Sequence, residues 1–142
     1  MNGMLHGRRV LLVDDNVHML ETLSDVLRCW GAHVDTAADV HTAVAMFEQQ
    51  TYDAAVVDMV MPGMSGIELI RLLRPAHPGA VFIILTAYAE RRSVQQACND
   101  ENVPVLFKPV DLEELLRLLS NATGAAAVQQ GAAARATDEP WN

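Results

Sequence analysis

Val10-Leu11-Leu12-Val13-Asp14-Asp15-Asn16 joins a short unbroken apolar run to a pair of carboxylates. An unbroken run of this length reads as a strand buried on both faces, because a strand covered by helices on each side loses the polar alternation of a half-exposed one. The same grammar recurs along the chain. Arg9–Val13, His33–Ala37 and residues 52–58, 80–86 and 103–107 read as strands, and each is followed by a segment of helical period. Five such units predict a parallel α/β sheet with helices on both faces, a (βα)5 chain.

Helix boundaries are legible too. Leu20, Leu23, Leu27 and Trp30 recur at helical spacing and Gly31 follows as a stop. Ser65 with Glu68 has the spacing of a capping box, and Asp111 with Glu114 repeats it ahead of a leucine-rich helix. Strand composition predicts strand order. The runs at Val10, Ala54 and Val81 are apolar throughout and belong in the middle of the sheet, whereas Asp35 and Thr36 mark the second strand as an edge. Pro104 marks the fifth as the other edge, because proline has no N–H to give to a ladder. The order 2-1-3-4-5 satisfies both, which is the doubly wound, flavodoxin-like arrangement with its ligand crevice at the carboxyl ends of strands 1 and 3.

The 142 residues suit one core. Residues 1–7 read as an N-terminal extension, 8–121 as the folded domain, and 122–142, rich in Ala, Gln and Gly, as a disordered or weakly helical tail in which Trp141 is incidental. Although 51% of residues are hydrophobic, no run approaches the ~18 residues of a membrane span and the start lacks a signal-peptide core, so the expectation is a cytoplasmic protein. A net charge of −8 argues against direct nucleic-acid binding, which rests on Lys and Arg neutralising phosphates. Cys29 and Cys98 lie far apart without metal-ligand spacing and read as incidental thiols.

The crevice predicted by the winding collects the chemistry. Asp14 and Asp15 follow strand 1 and Asp58 ends strand 3, so three carboxylates become neighbours. Their mutual repulsion opposes joint ionisation unless a cation compensates, and a hard divalent ion with oxygen ligands, Mg²⁺, suits the set. Any one of these residues alone reads equally well as a cap or turn residue. Thr86 ends strand 4 and Lys108 ends strand 5, adding a hydroxyl and a point positive charge to the same rim. A carboxylate so surrounded can attack phosphorus to give an aspartyl phosphate while cations neutralise the transferring oxygens.

From about Arg8 to Leu119 the chain resembles the receiver domains of two-component response regulators. The resemblance is carried by Val10-Leu11-Leu12-Val13-Asp14-Asp15-Asn16, by Val56-Val57-Asp58-Met59-Val60-Met61-Pro62-Gly63-Met64-Ser65-Gly66, by Leu85-Thr86-Ala87 and by Phe107-Lys108-Pro109. It implies Asp58 as phosphoacceptor, Asp15 as a direct Mg²⁺ ligand, Asp14 acting on the metal through water, and the Val60 carbonyl completing the protein's ligands. Thr86 and Lys108 would contact the phosphoryl oxygens, the Lys108 to Pro109 bond would be cis, and Gly66 would let the loop pass into the third helix. The implied function is a signalling switch rather than an enzyme, charged by a histidine kinase or histidine phosphotransfer protein and read by a downstream protein target. Both a stand-alone receiver and a piece of a longer regulator fit.

One departure stands out. The family places Phe or Tyr three residues before the lysine, and this chain has Val105. Without a rotating ring there, the expected route of transmission is the 87–92 loop and the following helix, read through that helix, strand 5 and the 111–119 helix. Phe107 shares a strand face with Val105 and reads first as core. Tyr88 and Val60 match positions that tune dephosphorylation, or are ordinary loop packing. A haloacid-dehalogenase-type phosphatase wants a second Asp two residues beyond the nucleophile, where this chain has Val60. A phosphate-independent interaction module is the remaining alternative. Gly63-Met64-Ser65-Gly66 is neither GxGxxG nor a P-loop, so nucleotide binding is weaker still.

Overall fold

The strands form where the apolar runs predict them. In the computed structural model, which describes residues 3–87 and 91–121, they are β1 (Arg9–Val13), β2 (His33–Ala37), β3 (Ala54–Val57), β4 (Val81–Thr86) and β5 (Val105–Phe107). Between and after them run α1 (Val17–Cys29), α2 (Val40–Gln49), α3 (Gly66–Leu73), α4 (Arg91–Asp100) and α5 (Leu112–Ser120), with a 3-10 turn at Arg74–Ala76. All pairings are parallel and the order is β2-β1-β3-β4-β5. The expected winding and both expected edges are therefore present. Tyr88, the middle of the 87–92 loop and the 122–142 tail with Trp141 lie outside the described residues.

β4 starts one residue later than its apolar run, and β3 and β5 are shorter than theirs for local reasons. Before β3, the Asp53 carboxylate accepts the Arg9 N–H at 2.8 Å. Tyr52 turns into a polar cluster, its hydroxyl donating to Asp35 Oδ2 at 2.7 Å. Before β5, the Val103 N–H goes to Cys98 O at 2.8 Å, and Pro104 supplies only its carbonyl, which accepts Ile84 N–H at 2.9 Å. An edge position tolerates that one-sided contribution.

Alternation along the strands sorts side chains to two faces. Leu11, Val13, Ala55, Val57, Phe82 and Ile84 pack with Phe47, Leu69, Ile70, Val94 and Cys98 from α2, α3 and α4. Val10, Leu12, Ala54, Val56, Ile83 and Leu85 pack with Leu20, Leu23, Leu27, Leu115 and Leu119 from α1 and α5. Burial of each such aliphatic side chain contributes roughly 1.5–3 kcal/mol, which sets these faces as the main source of stability. Leu5 joins the α1/α5 face at 0% exposure, and its N–H donates to Trp30 O at 2.7 Å. Part of the segment read as an extension is thus built into the core.

The helix starts follow their caps. Asn16 accepts Met19 N–H, Asp39 accepts Thr42 N–H, and Ser65 and Glu68 close a reciprocal capping box. Asp111 accepts the N–H groups of Glu113 and Glu114, but the Glu114 carboxylate turns to Arg117 instead of closing a second box. Trp30 lies just past α1, and Gly31 takes φ +98°, the left-handed conformation that ends the helix. Both cysteines are free, Cys98 buried and Cys29 exposed. Among the described residues, no helix is long and apolar enough to cross a membrane.

Candidate functional site

Register brings the carboxylates together. Val13 pairs with Val57, so the residues that follow, Asp14 and Asp58, emerge side by side from adjacent central strands, and the Asp58 N–H still bonds Val13 O at 2.9 Å. Side-chain oxygens of Asp14, Asp15 and Asp58 lie within 4.8 Å of one another. Asp14 is buried, Asp58 half-buried and Asp15 exposed, so the three descend from rim to floor.

Each of the inner two has defined partners. Asp14 Oδ1 accepts the Asn16 N–H at 3.0 Å, and Asp14 Oδ2 accepts from Lys108 Nζ at 3.0 Å. The Thr86 side chain and the Met59 backbone N–H lie close enough to the Asp58 carboxyl to favour its charged form. Burial holds the Asp58 carboxyl above the ordinary carboxylate range; Thr86 opposes this, the Asp14 charge adds to it, and Lys108 and Met59 pull it back. The burial has a visible source, since a small cavity beside Asp58 and Asp14 is walled by Met19, Leu20, Leu23, Val56 and Leu85.

Thr86 is 1% exposed at the end of β4 and lies in register with Phe107, the last residue of β5. Lys108 follows, and its N–H bonds Thr86 O at 2.9 Å. The Lys108 to Pro109 peptide is cis, as the resemblance implied. Gly66 opens α3 against Asp58: a Cβ there would stand 2.3 Å from the Asp58 carbonyl oxygen, a distance no side chain tolerates. Gly63, at φ +89°, makes the loop's turn. Val60 is 49% exposed at the mouth of an open groove that it shares with Met59, Met61 and Met64.

The carboxylates fit a hard divalent cation. Oxygens on opposite sides of Mg²⁺ are about 4.2 Å apart, so modest side-chain movement would gather the set around the ion. Two contributors went unassigned in the sequence. Asn16 was legible as a cap from its position before α1, but its backbone bond to Asp14 was not. Arg91 lies with its guanidinium 4.6 Å from the centre of the Phe107 ring, a contact between segments that no motif announces.

Comparison with known proteins agrees with the fold. Residues 10–120 match the family model of the response regulator receiver domain. A response regulator receiver protein of Anaeromyxobacter sp. (strain Fw109-5) is 37% identical over 111 residues, covering 78% of this chain and 47% of that protein. The probable transcriptional regulatory protein TcrX of Mycobacterium tuberculosis is 36% identical over 129 residues, covering 87% of this chain and 54% of its own length. The chain thus spans about half the length of these relatives. Among solved structures, a receiver domain from Clostridium thermocellum superposes with TM-score 0.75 at 25% identity, covering 89% of this chain and 98% of that one. Chemotaxis protein CheY4 of Vibrio cholerae gives 0.72 at 28% identity, covering 82% and 98%.

Proposed function

The chain belongs to the response regulator receiver domain family of two-component signalling, and from that premise we propose that Asp58 accepts a phosphoryl group with Mg²⁺ bound beside it. The observation that carries this reading is the convergence of Asp14, Asp15 and Asp58 on a rim whose remaining groups are the Thr86 hydroxyl and the Lys108 ammonium. Receiver domains are generally switches rather than enzymes, typically bind Mg²⁺ at such an acidic pocket, and interact with histidine kinases and downstream effectors.

In the proposed transfer, an Asp58 carboxylate oxygen forms a bond to phosphorus as the bond to the donor's nitrogen or oxygen breaks, and the leaving group takes that electron pair. Mg²⁺, when bound, supplies charge neutralisation to the transferring oxygens. Asp15 is the direct carboxylate ligand in this reading, Asp14 acts through water, and the Val60 carbonyl contributes a further oxygen. Lys108 is positioned to exchange its Asp14 partner for a phosphoryl oxygen, and Thr86, beside the Asp58 carboxyl, to give its hydroxyl to the new group. The half-buried setting of Asp58 limits water around the attacking oxygen. The donor is a histidine kinase or histidine phosphotransfer protein, the recipient of the signal a downstream protein, and the setting the cytoplasm. The proposed partner surface is the exposed face of α4 with β5 and α5.

Incubation with acetyl phosphate and Mg²⁺, followed by intact-mass measurement and peptide mapping, tests the assignment. One phosphoryl group on Asp58 is expected, with none on Asp58→Asn. A label on another residue of the wild type rejects it. Mg²⁺ titration should weaken sharply in Asp15→Asn, which loses an anionic ligand.

A further inference from the structure

Phe107 stands between the two groups that a phosphoryl on Asp58 would recruit. Thr86 is its register partner on β4, and Lys108 is its covalent neighbour, with the Lys108 N–H bonded to Thr86 O at 2.9 Å. Movement of either group therefore acts on the backbone that carries the ring. Phe107 is half-buried against the face formed by α2, α3 and α4, where Val94 and Cys98 of α4 are also buried. Its exposed side is covered by Arg91, the first residue of α4, with the guanidinium carbon 4.6 Å from the ring centre.

Val105 lies two residues earlier on the same face and is coupled less directly. Its register partner is Ile84, not Thr86, and its β-branched side chain has one restricted torsion. A phenylalanine at a strand edge can exchange between staggered χ1 positions, and an exposed cation–π contact is weak enough to be made and broken. A strong contact would hold one state only; this weak one suits a two-state element.

Resting on the phosphoacceptor reading of Asp58, we propose that the Phe107 ring and the Arg91 guanidinium form the relay from the site to α4, in place of an aromatic residue at position 105. Recruitment of Thr86 and Lys108 shifts the β5 end, the ring changes its position under Arg91, and the start of α4 is released or re-seated accordingly. The phosphoryl group biases this equilibrium through its contacts with Thr86 and Lys108, which differ between the two states.

The test uses the whole chain with beryllofluoride and Mg²⁺ as probe, and two readouts: calorimetric binding of the probe, and hydrogen exchange at backbone amides 94–98. In the wild type, binding should change exchange at these amides by about fivefold or more. Phe107→Leu and Arg91→Gln should bind the probe equally well but lose most of that change, whereas Phe107→Tyr, which keeps a ring, and Val105→Ala should retain it. Arg91 is exposed, so Arg91→Gln answers the question even if Phe107→Leu is poorly folded. A full-sized α4 response in Arg91→Gln, or a wild type that binds the probe without any α4 response, overturns the relay and leaves the acceptor reading standing. A wild type that fails to bind the probe overturns both.

Discussion

Lys108 Nζ and Asp14 Oδ2 meet at 3.0 Å across 94 residues of sequence. The pair is largely enclosed, with side-chain exposures of 20% for the lysine and 9% for the aspartate. It ties β5 to β1 over the site and supplies the one ammonium bonded to the acidic cluster among the described residues. Lys108→Met should leave Asp14 short of its countercharge and lower stability by about 1–3 kcal/mol in metal-free buffer. Mg²⁺ should recover part of that loss, because it supplies the missing charge. Urea unfolding with and without Mg²⁺ measures both effects, and equal midpoints for wild type and variant in metal-free buffer would sink the idea.

Asp58 carries a stability cost at neutral pH. Its folded carboxyl is raised above the ordinary range, mainly by burial, so the group favours folding most when protonated. That contribution is fully present below the ordinary carboxylate range and is lost as pH rises through the raised value. Without metal, Asp58→Asn should therefore melt above the wild type at neutral pH, and the gap should close as the pH is lowered into the ordinary carboxylate range. Thermal melts across that range check the sign; a gap that widens towards acid contradicts it.

Gly66→Ala puts a methyl carbon 2.3 Å from the Asp58 carbonyl oxygen, and both neighbours are backbone or core. The β3 end or the start of α3 must shift, at about 1–3 kcal/mol for an overpacked contact. Phosphoryl labelling should slow as well, because the displaced carbonyl belongs to Asp58, the proposed acceptor. Stability and labelling rate in the same sample report the two consequences together.

Tyr52 is held neutral by its surroundings. Burial, and the hydroxyl's bond to Asp35 Oδ2 at 2.7 Å, push its phenol up to about 12. The stabilisation is complete below the usual phenol value near 10 and is lost as pH rises through about 12. Absorbance titration should show a tyrosine ionising late, with stability falling over the same interval. Tyr52→Phe should cost about 0.5–1.5 kcal/mol at neutral pH and remove the late titration.

Leu5→Ala should cost about 2–5 kcal/mol, the range for truncating an enclosed leucine. The side chain is 0% exposed and its N–H bonds Trp30 O. Chemical denaturation of the variant would show whether the segment ahead of β1 carries this share of the core; a change near zero would mean that it does not.

Much of the molecule was readable from local pattern. Unbroken apolar runs identified β1, β3 and β4 as doubly covered, and Pro104 and Asp35 identified the edges, because burial and ladder bonding act on each residue through its own chemistry. The acidic pair after β1, Asp58 after β3 and the Thr86 and Lys108 strand ends were legible for the same reason: each lies where an apolar run stops. Strand ends were less legible at β3 and β5, where the Asp53 carboxylate takes the Arg9 N–H, the Tyr52 hydroxyl turns to Asp35 and the Val103 N–H goes to Cys98 O.

The sequence by itself determined the winding and which polar residues end the strands, since these follow from periodicity and polarity along the chain, while the role of Gly66 came from the family resemblance. Only the tertiary structure decided the rest. Leu5 in the core, the Tyr52 hydroxyl on Asp35, Lys108 on Asp14 and Arg91 over Phe107 each depend on distance between segments remote in sequence or separated by a loop. A side chain's partner is set by where register and helix packing deliver it, and that information resides in no single stretch of residues.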